Sequence, residues 1–509
     1  MNAPTIGRRF DLALQRGQNI AQCLRAAASS FPDKPAIVFE NQTLSYRDFD
    51  RAAQRSAGQL IAMGVAPGER VALHMLNSSE LAIAYFACFY AGAVAVPINI
   101  RMKGPEVAYV LKHSGVSIYL GQPDLFREIE SICGDCSSVR QFLTDWQPRN
   151  GAAVRETPRL IPGHADEAAV IMYTSGSTAR PKGVVHSHRT CRNAARGLNI
   201  DEPDVVAMMT SMAHAAAFMM LLAGIEACAT AVPFARFDPE ATLDMIAKHR
   251  CSVVLGLTAM FPALIAAQDA QTRSVVPHAR FFATGDAVPA AFKRAFARSF
   301  SRPLHELFGM TEVGLIAANF SLAEDPLDSF GRPVCGVEVV LADNDGGITS
   351  GDRGEMMVRS AATMLGYWDD PKATADVMRN GWFRTGDLVR RDSLGYLSFE
   401  GRRKEVIVRG GSNISPQEVE AVLCEHPGVR EAGVVGKTDS LLGERVVAFV
   451  KAAPDSPPTE HELIAFVTAR IANYKVPEEI VFLDALPKGQ TGKIARRALK
   501  DMLPECAQD

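Results

Sequence analysis

The sequence predicts an α/β fold. A large N-terminal domain of parallel sheets covered by helices carries a small β-rich portion and is followed by a small α+β C-terminal domain. Three observations lead there. A chain of 509 residues exceeds one ordinary core, so it divides into domains. Apolar, β-rich runs alternate with helical patterns up to about Gly331, which implies parallel strands joined by covering helices. Beyond that point the texture changes to short strands and Gly/Asp turns, and then to a compact mixture of helices and strands.

The elements follow in order. "RVALHML" reads as a strand, "SSELAIAYFACFYAG" as a helix, "AVAVPIN" as a strand, "KGPEVAYVLKHSG" as a helix and "VSIYLG" as a strand. Later, "CSVVLGL" precedes the helix "TAMFPALIAAQ", and "ARFFATG" precedes the helix "PAAFKRAFARSF". From Gly331 to Glu400, "GVEVVLADNDGG", "GEMMVRS" and "GYLSFEGR" form the β-rich portion. The charged stretch "EGRRKEVIVRGGSN" then leads into a helix "SPQEVEAVLCEHP", strands "EAGVVGK" and "RVVAFVKA", and a helix "EHELIAFVTARI". A domain boundary is expected at Arg402 to Lys404, giving domains 1–402 and 403–509.

Composition excludes several classes. Hydrophobic residues at 47% with 22% charged describe a globular chain, not a disordered or fibrous one. A formal net charge of -3 gives no general attraction to nucleic acid or anionic lipid, so neither is expected as a partner. The ten cysteines are scattered, and the one close pair, Cys133 and Cys136, lacks a second pair to complete a zinc site. They read as reduced thiols, which points to the cytoplasm. The opening "MNAPTIGRRFDLALQRGQNI" has arginines but no apolar core behind them, unlike a signal peptide. "VVAMMTSMAHAAAFMMLLAGI", from Val205 to Ile225, is long enough to span a bilayer, yet His214, Thr210 and Ser211 would be costly in lipid. It parses better as a buried strand from Val205 to Met212, a break at His214, and a buried helix ending near Glu226. No membrane span is expected.

The chemistry starts at "YTSGSTARPKGVVHSH". Thr174, Ser175, Gly176, Ser177 and Thr178 offer hydroxyls and unhindered N–H groups, which wrap oxyanions. The G-x-x-x-x-G-K-[ST] phosphate loop does not fit, because Lys182 precedes Gly183 and Val184 follows. Alone, the run reads equally well as a polar surface turn. Five more segments decide: "FGMTE" (308–312), "GYWDDPKAT" (366–374), "WFRTGD" (382–387), "GRRKEVIVRGGSNISPQEVE" (401–420) and "PKGQTGKIAR" (487–496).

In this order and spacing the six segments resemble the adenylate-forming (AMP-binding) superfamily, which includes acyl- and aryl-CoA synthetases, peptide-synthetase adenylation domains and firefly luciferases. The likeness covers essentially the whole chain, from "SFPDKPAIVFENQTLSYRDFD" to the last helix. It implies an acid–thiol ligase: a carboxylate attacks the α-phosphorus of ATP, pyrophosphate leaves, and the acyl group passes from AMP to CoA. Positioning and charge neutralisation carry such phosphorus chemistry. The resemblance assigns the β/γ-phosphates to the 174–178 loop and Lys182, an α-phosphate donor to Thr311, and Mg²⁺ to Glu312, a hard oxygen ligand for a hard ion. By itself Glu312 reads as a carboxylate at a helix N-terminus.

Asp387 matches the aspartate that grips both ribose hydroxyls, with Arg402 joining it; in isolation it reads as a turn residue after Gly386. Adenine is expected against Phe308, beside Asp286 and Ala287, with Glu306 and Gly309 in the same nucleotide set. There "TGDAVPA" departs from the usual small-residue pattern at Asp286 and Val288, so the adenine contacts do not carry over in detail. Lys493 matches the catalytic lysine that bridges carboxylate and α-phosphate; without the resemblance it is one cation on a basic tail. Lys404 falls at the hinge about which the mobile C-terminal domain rotates between half-reactions. Gly410, Gly411 and Ser412, with Tyr474, fall at the thioester step, where glycines permit close approach of a thiol arm. The likeness also implies two further kinds of partner, a second subunit in a homodimer and a lysine acetyltransferase with its deacetylase acting on Lys493.

His214 matches a pocket-edge residue of the family, although a lone histidine in an apolar run is usually a satisfied core residue. Ala215, Ala216, Phe218 and Met219 behind it are uncharged, and Gly309 and Met310 join the expected acyl pocket. This favours an apolar monocarboxylate (a fatty, aromatic or alicyclic acid) over an amino acid and, less strongly, over a dicarboxylate. The same run suits a plain buried helix. Transfer to a separate carrier protein, and ligation of a short dicarboxylate, stay open as alternatives.

Overall fold

Strands such as Val94–Pro97 and Ile118–Gly121 are buried at every position. Continuous apolar runs of this kind belong to parallel sheets covered on both faces. A computed structural model describes residues 19–148, 164–174, 181–270, 279–285, 288, 290–319, 326, 328–343, 346–403, 405–409, 412–439, 443–471, 473–489 and 492–503. The chain forms two compact units. The first draws on Met1–Asp325, Gly331–Glu338 and Arg359–Phe383, and the second on Pro326–Phe330, Val339–Val358 and Arg384–Asp509.

The first unit holds two sheets with parallel centres; the nine-stranded one is antiparallel at both edges and the seven-stranded one at the edge formed by Gly366–Tyr367. A nine-stranded sheet runs Arg332–Pro333, Gly314–Ala318, Leu304–Met310, Arg280–Thr284, Val253–Leu257, Val205–Met208, Thr230–Pro233, Pro35–Phe39, Gln42–Ser45. A seven-stranded sheet runs Gly366–Tyr367, Lys182–Ser187, Ala168–Thr174, Val94–Pro97, Arg70–His74, Ile118–Gly121, Gln141–Leu143. The sequence marks the parallel centres, which are the apolar runs between helices. The antiparallel edge strands are short and half-exposed, so they carry no comparable signal.

The helix Ser79–Ala91 is buried at every residue except Glu80, and its ends explain its limits. Ser78 accepts the Leu81 N–H at the start, and Gly92 takes a left-handed conformation at the end. The run read as helix from Thr258 begins as a 3₁₀ turn, Thr258–Met260, and becomes α-helix at Phe261. Pro262 explains the delay, because proline is tolerated only in a helix's first turn. The strand expected from Val205 to Met212 stops at Met208. Beyond it Asn77 takes over, donating to the Thr210 carbonyl (2.9 Å) and accepting the Met212 N–H (2.6 Å). The helix behind it, Ala215–Glu226, ends where expected, with His214 as its N-cap.

In the second unit, Trp382–Arg391 and Leu397–Arg402 pair as an antiparallel hairpin with Asp387 opposite Arg402. The second compact unit takes up the chain from Arg384 and so includes Asp387 and Arg402. A five-stranded sheet runs Ser412–Ile414, Ile407–Arg409, Gly443–Ala452, Val429–Asp439, with Glu479–Phe482 also paired to Gly443–Ala452. Pro416–Cys424 and Glu460–Thr468 pack apolar residues, among them Val419, Leu423, Leu463 and Val467, into its core. No helix among the described residues is long and apolar enough to cross a membrane.

Four buried histidines make the fold sensitive to acid. Burial pushes His74, His186 and His305 down to about 4 and His188 down to about 3. Near neutral pH these rings are uncharged both folded and unfolded. Below about pH 6.5 the unfolded chain binds protons that the folded sites refuse, so the histidines' contribution to stability falls until the folded values are reached. In ¹³C-histidine NMR spectra, these four resonances should stay in the neutral form at pH 5.5. Titration of all four near 6.5 would show that the rings are solvated.

Candidate active site

The strand Lys182–Ser187 organises the first unit's cluster. On one side it pairs with Ala168–Thr174, placing Thr174 opposite Lys182 and Tyr173 opposite Gly183. On the other it pairs with Gly366–Tyr367, placing Tyr367 opposite Val184. Lys182 Nζ lies 4.8 Å from the centroid of the Tyr367 ring, a cation–π distance. The Tyr367 hydroxyl donates to Glu312 Oε1 at 2.9 Å. Burial and the adjacent Glu312 carboxylate both push the phenol well above the ordinary tyrosine range, so it stays a donor.

Thr311 and Glu312 occupy the turn between the antiparallel strands Leu304–Met310 and Gly314–Ala318. Glu312 therefore does not begin a helix, and the helix-dipole reading of it is replaced by a turn. Gly309 is required there, because a Cβ would lie 2.5 Å from the Gly314 carbonyl oxygen. The turn is tied down from two directions. His186 Nε2 lies 2.6 Å from the Thr311 carbonyl, while its Nδ1 lies 3.0 Å from Thr190 Oγ1. With its pKa near 4 the ring is neutral, so Nε2–H donates to Thr311 and Nδ1 accepts from Thr190. The Met364 N–H donates to the Glu312 carbonyl at 2.7 Å.

In the second unit, Asp387 is buried and Arg402 Nε donates to its Oδ1 at 3.0 Å. Burial pushes the Asp387 carboxyl above the usual range, and the charges of Arg402 and Lys493 work against that shift. Lys493 sits in a short loop closed by a bridge between Lys488 and Ile494, with its carbonyl accepting the Gly489 N–H at 2.7 Å. Ile494 and Leu499 side chains pack where a Cβ on Gly433 would stand, at 3.1 and 2.7 Å, so this segment docks closely against the strand. Arg496 completes the anchor, donating to Glu405 at 2.9 Å and to both oxygens of Glu420 at 2.6 and 2.9 Å.

Comparison with known proteins identifies the family. The AMP-binding enzyme model matches residues 24–368, and the model of that family's C-terminal domain matches 418–493. The chain belongs to the AMP-binding enzyme family. It is 31% identical to a long-chain-fatty-acid–CoA ligase of Mycobacterium tuberculosis over 503 residues, 95% of this chain and 98% of the relative. It is 33% identical to an indoleacetate–CoA ligase of Aromatoleum aromaticum over 493 residues, 93% and 96% of the two. The solved O-succinylbenzoate coenzyme A synthetase of Bacillus subtilis, in complex with ATP and magnesium ion, superposes with a TM-score of 0.85 at 29% identity, covering 95% of this chain and 99% of that one. The chain is thus an acid–thiol ligase, among the AMP-forming acyl- and aryl-CoA ligases.

Within this ligase the expected positions divide three ways. Thr174 and Lys182 lie on paired strands of the seven-stranded sheet, and Phe308, Gly309, Met310, Thr311 and Glu312 on a strand of the nine-stranded sheet and the turn that follows it, the two meeting through Tyr367; Asp387, Arg402 and Lys493 share the second unit. Some positions serve the interior. Glu306 is buried in an ion pair with Lys293 Nζ at 3.1 Å, and Phe218 is fully buried 4.8 Å from Tyr85. Met219 is also buried, whereas Ala215 and Ala216 keep accessible surface. His214 Nδ1 accepts the Ala216 N–H at 3.3 Å, so the histidine caps its helix. Ser175, Gly176, Ser177, Thr178, Asp286, Ala287, Lys404, Gly410 and Gly411 lie outside the described residues. Ser412 is placed by its backbone opposite Arg409, and Tyr474 is exposed, its carbonyl accepting from Arg409 at 2.9 Å.

Tyr367, His186 and Asn77 were not singled out from the sequence. Tyr367 stands in a quoted motif, "GYWDDPKAT", which was the available signal. His186 likewise stands in a quoted run, "YTSGSTARPKGVVHSH", whereas Asn77 acts through contacts with residues far along the chain and nothing local marks it.

Arg496 gives a stability test. Arg496→Ala leaves the mostly buried Glu420 carboxylate without its main counter-charge and should destabilise the ligase by about 3 kcal/mol. Adding Glu420→Gln removes the stranded charge and should restore part of that loss, as read by urea denaturation of the second unit.

Proposed function

We propose that this ligase activates an apolar monocarboxylic acid with ATP and transfers the acyl group from AMP to CoA. The observation that supports this most is the Lys182–Tyr367–Glu312 cluster, a cation and a carboxylate held beside the turn that carries Thr311. Among the described residues no group of three or more His, Cys, Asp or Glu could cage a metal ion. That suits Mg²⁺, which is commonly held by one or two carboxylates and the substrate's phosphates. Glu312 would hold it, and when bound it supplies neutralisation of phosphate charge.

This chain's own groups do the rest. Lys182 and the 174–178 loop bind the departing β/γ-phosphates, and the Thr311 hydroxyl donates to the α-phosphate. Asp387 accepts the ribose hydroxyls; burial raises its carboxyl, and its pairing with Arg402 and the nearby charge of Lys493 work against that shift. Lys493 brings a positive charge to the attacking carboxylate and the α-phosphate oxygens, where negative charge concentrates in the transition state. Lys404 serves as the hinge to the thioester step, in which Gly410 and Gly411 admit the thiol.

The acyl pocket begins at His214, where Ala215 and Ala216 are small, uncharged and partly accessible. The fatty-acid and indoleacetate relatives support an apolar acid. A panel of carboxylic acids, assayed for pyrophosphate release with and without CoA, tests the reading. Apolar acids should release pyrophosphate and consume CoA, and Ala216→Phe should shift preference to smaller acids. Best activity with glycine, alanine or malonate would overturn the substrate class. Pyrophosphate release with no CoA consumption would favour transfer to a carrier protein.

A further inference from the structure

The Gly366–Tyr367 strand is fixed along its backbone on both sides of the tyrosine. The Leu365 N–H donates to the Val185 carbonyl at 2.8 Å and the Trp368 N–H to the Gly183 carbonyl at 2.7 Å, while the Tyr367 N–H donates to Thr374 Oγ1 at 2.9 Å. Alternation along a strand sends Trp368 and Tyr367 to opposite faces. Trp368 turns to the first unit's core, with Nε1 donating to the His113 carbonyl at 3.0 Å and the Arg70 guanidinium 5.4 Å from its ring. Tyr367 turns to Lys182 and Glu312, meeting the first through its ring and the second through its hydroxyl. One rigid side chain thus holds a cation and an anion on different parts of itself. A flexible lysine and a glutamate brought close without such a support could neutralise each other and offer less charge to a ligand.

We propose that Tyr367 is a positioning residue that aims Glu312 at the magnesium of MgATP and holds Lys182 ready for its phosphates, an inference that rests on the nucleotide reading above. The hydroxyl and the ring make separable contributions. Tyr367→Phe removes the hydrogen bond to Glu312 and keeps the ring under Lys182, whereas Tyr367→Leu removes both.

The test is calorimetric titration of ATP into the full-length protein, with EDTA and at graded Mg²⁺, after thermal melts confirm folding. The Mg²⁺ concentration giving half of the metal-dependent gain in affinity should rise about tenfold or more in Tyr367→Phe, the lower end of the worth of one hydrogen bond to a charged group. Its affinity in EDTA should stay within about twofold of wild type, because the cation–π contact persists. Tyr367→Leu should lose roughly another two- to fivefold in EDTA as well. On a Glu312→Gln background, Tyr367→Phe should no longer change the Mg²⁺ dependence; an undiminished effect there would mark a merely structural role and overturn the proposal. Unchanged Mg²⁺ dependence in Tyr367→Phe, with wild type binding MgATP, would overturn the Tyr367 assignment alone. Failure of wild type to bind ATP would overturn the nucleotide reading and this inference with it.

Discussion

The first unit's site depends on one strand being hydrogen-bonded along both edges. Lys182–Ser187 lies between Ala168–Thr174 and Gly366–Tyr367, so its register fixes several side chains at once. Lys182 is set beside Tyr367, and His186, four residues on, reaches the Thr311 carbonyl. A slip of one residue would turn every side chain of the strand to the opposite face. Sheet pairing therefore does here what a coordination shell does in a metalloprotein. It holds charged groups at fixed separations, the arrangement that electrostatic stabilisation of developing charge requires.

The second unit solves a different problem, the burial of charge. Asp387, Glu355 and Glu420 are all largely withdrawn from solvent, and each is answered by arginine. At Glu355 burial raises the carboxyl, but Arg384 and Arg403 together outweigh it and hold it below the usual range. At Asp387 and Glu420 burial wins and the carboxyls are raised. A group balanced in this way responds strongly to an added charge or donor, as a ribose or a moving lysine would provide. The Arg496 network also joins Glu405, beside the proposed hinge, to the segment carrying Lys493.

Much of this was legible in the sequence, for identifiable reasons. Buried parallel strands such as Val94–Pro97 and Ile118–Gly121 appear as continuous apolar runs, and Ser78 and Gly92 punctuate the helix between Asn77 and Ala93. The break at His214 was legible because a polar residue interrupts an apolar run, and it proved to be a helix cap. What local pattern cannot carry is long-range pairing. The antiparallel edge strands are too short to show periodicity, and the turn at Glu312 looked like a helix start because both begin with small and acidic residues. The hydroxyl of Tyr367 meets Glu312 across 55 positions of sequence, and Asn77 meets Met212 across 135. Phe218, expected in the acyl pocket, is fully buried with its ring 4.8 Å from that of Tyr85, whereas Ala215 and Ala216 keep accessible surface, because successive helix residues point in different directions.

The central claim is that the charge of Lys493 serves adenylate formation and not thioester formation. Rapid-quench measurement of the separate half-reactions in Lys493→Ala tests it most directly, using the best acid of the panel and its preformed adenylate. The variant should release pyrophosphate roughly a hundred- to a thousandfold more slowly than wild type in a single turnover, the usual loss for one charge-stabilising donor. Supplied with the adenylate and CoA, it should still form thioester at close to the wild-type rate. Equal loss of both half-reactions in a protein that remains folded would contradict the account.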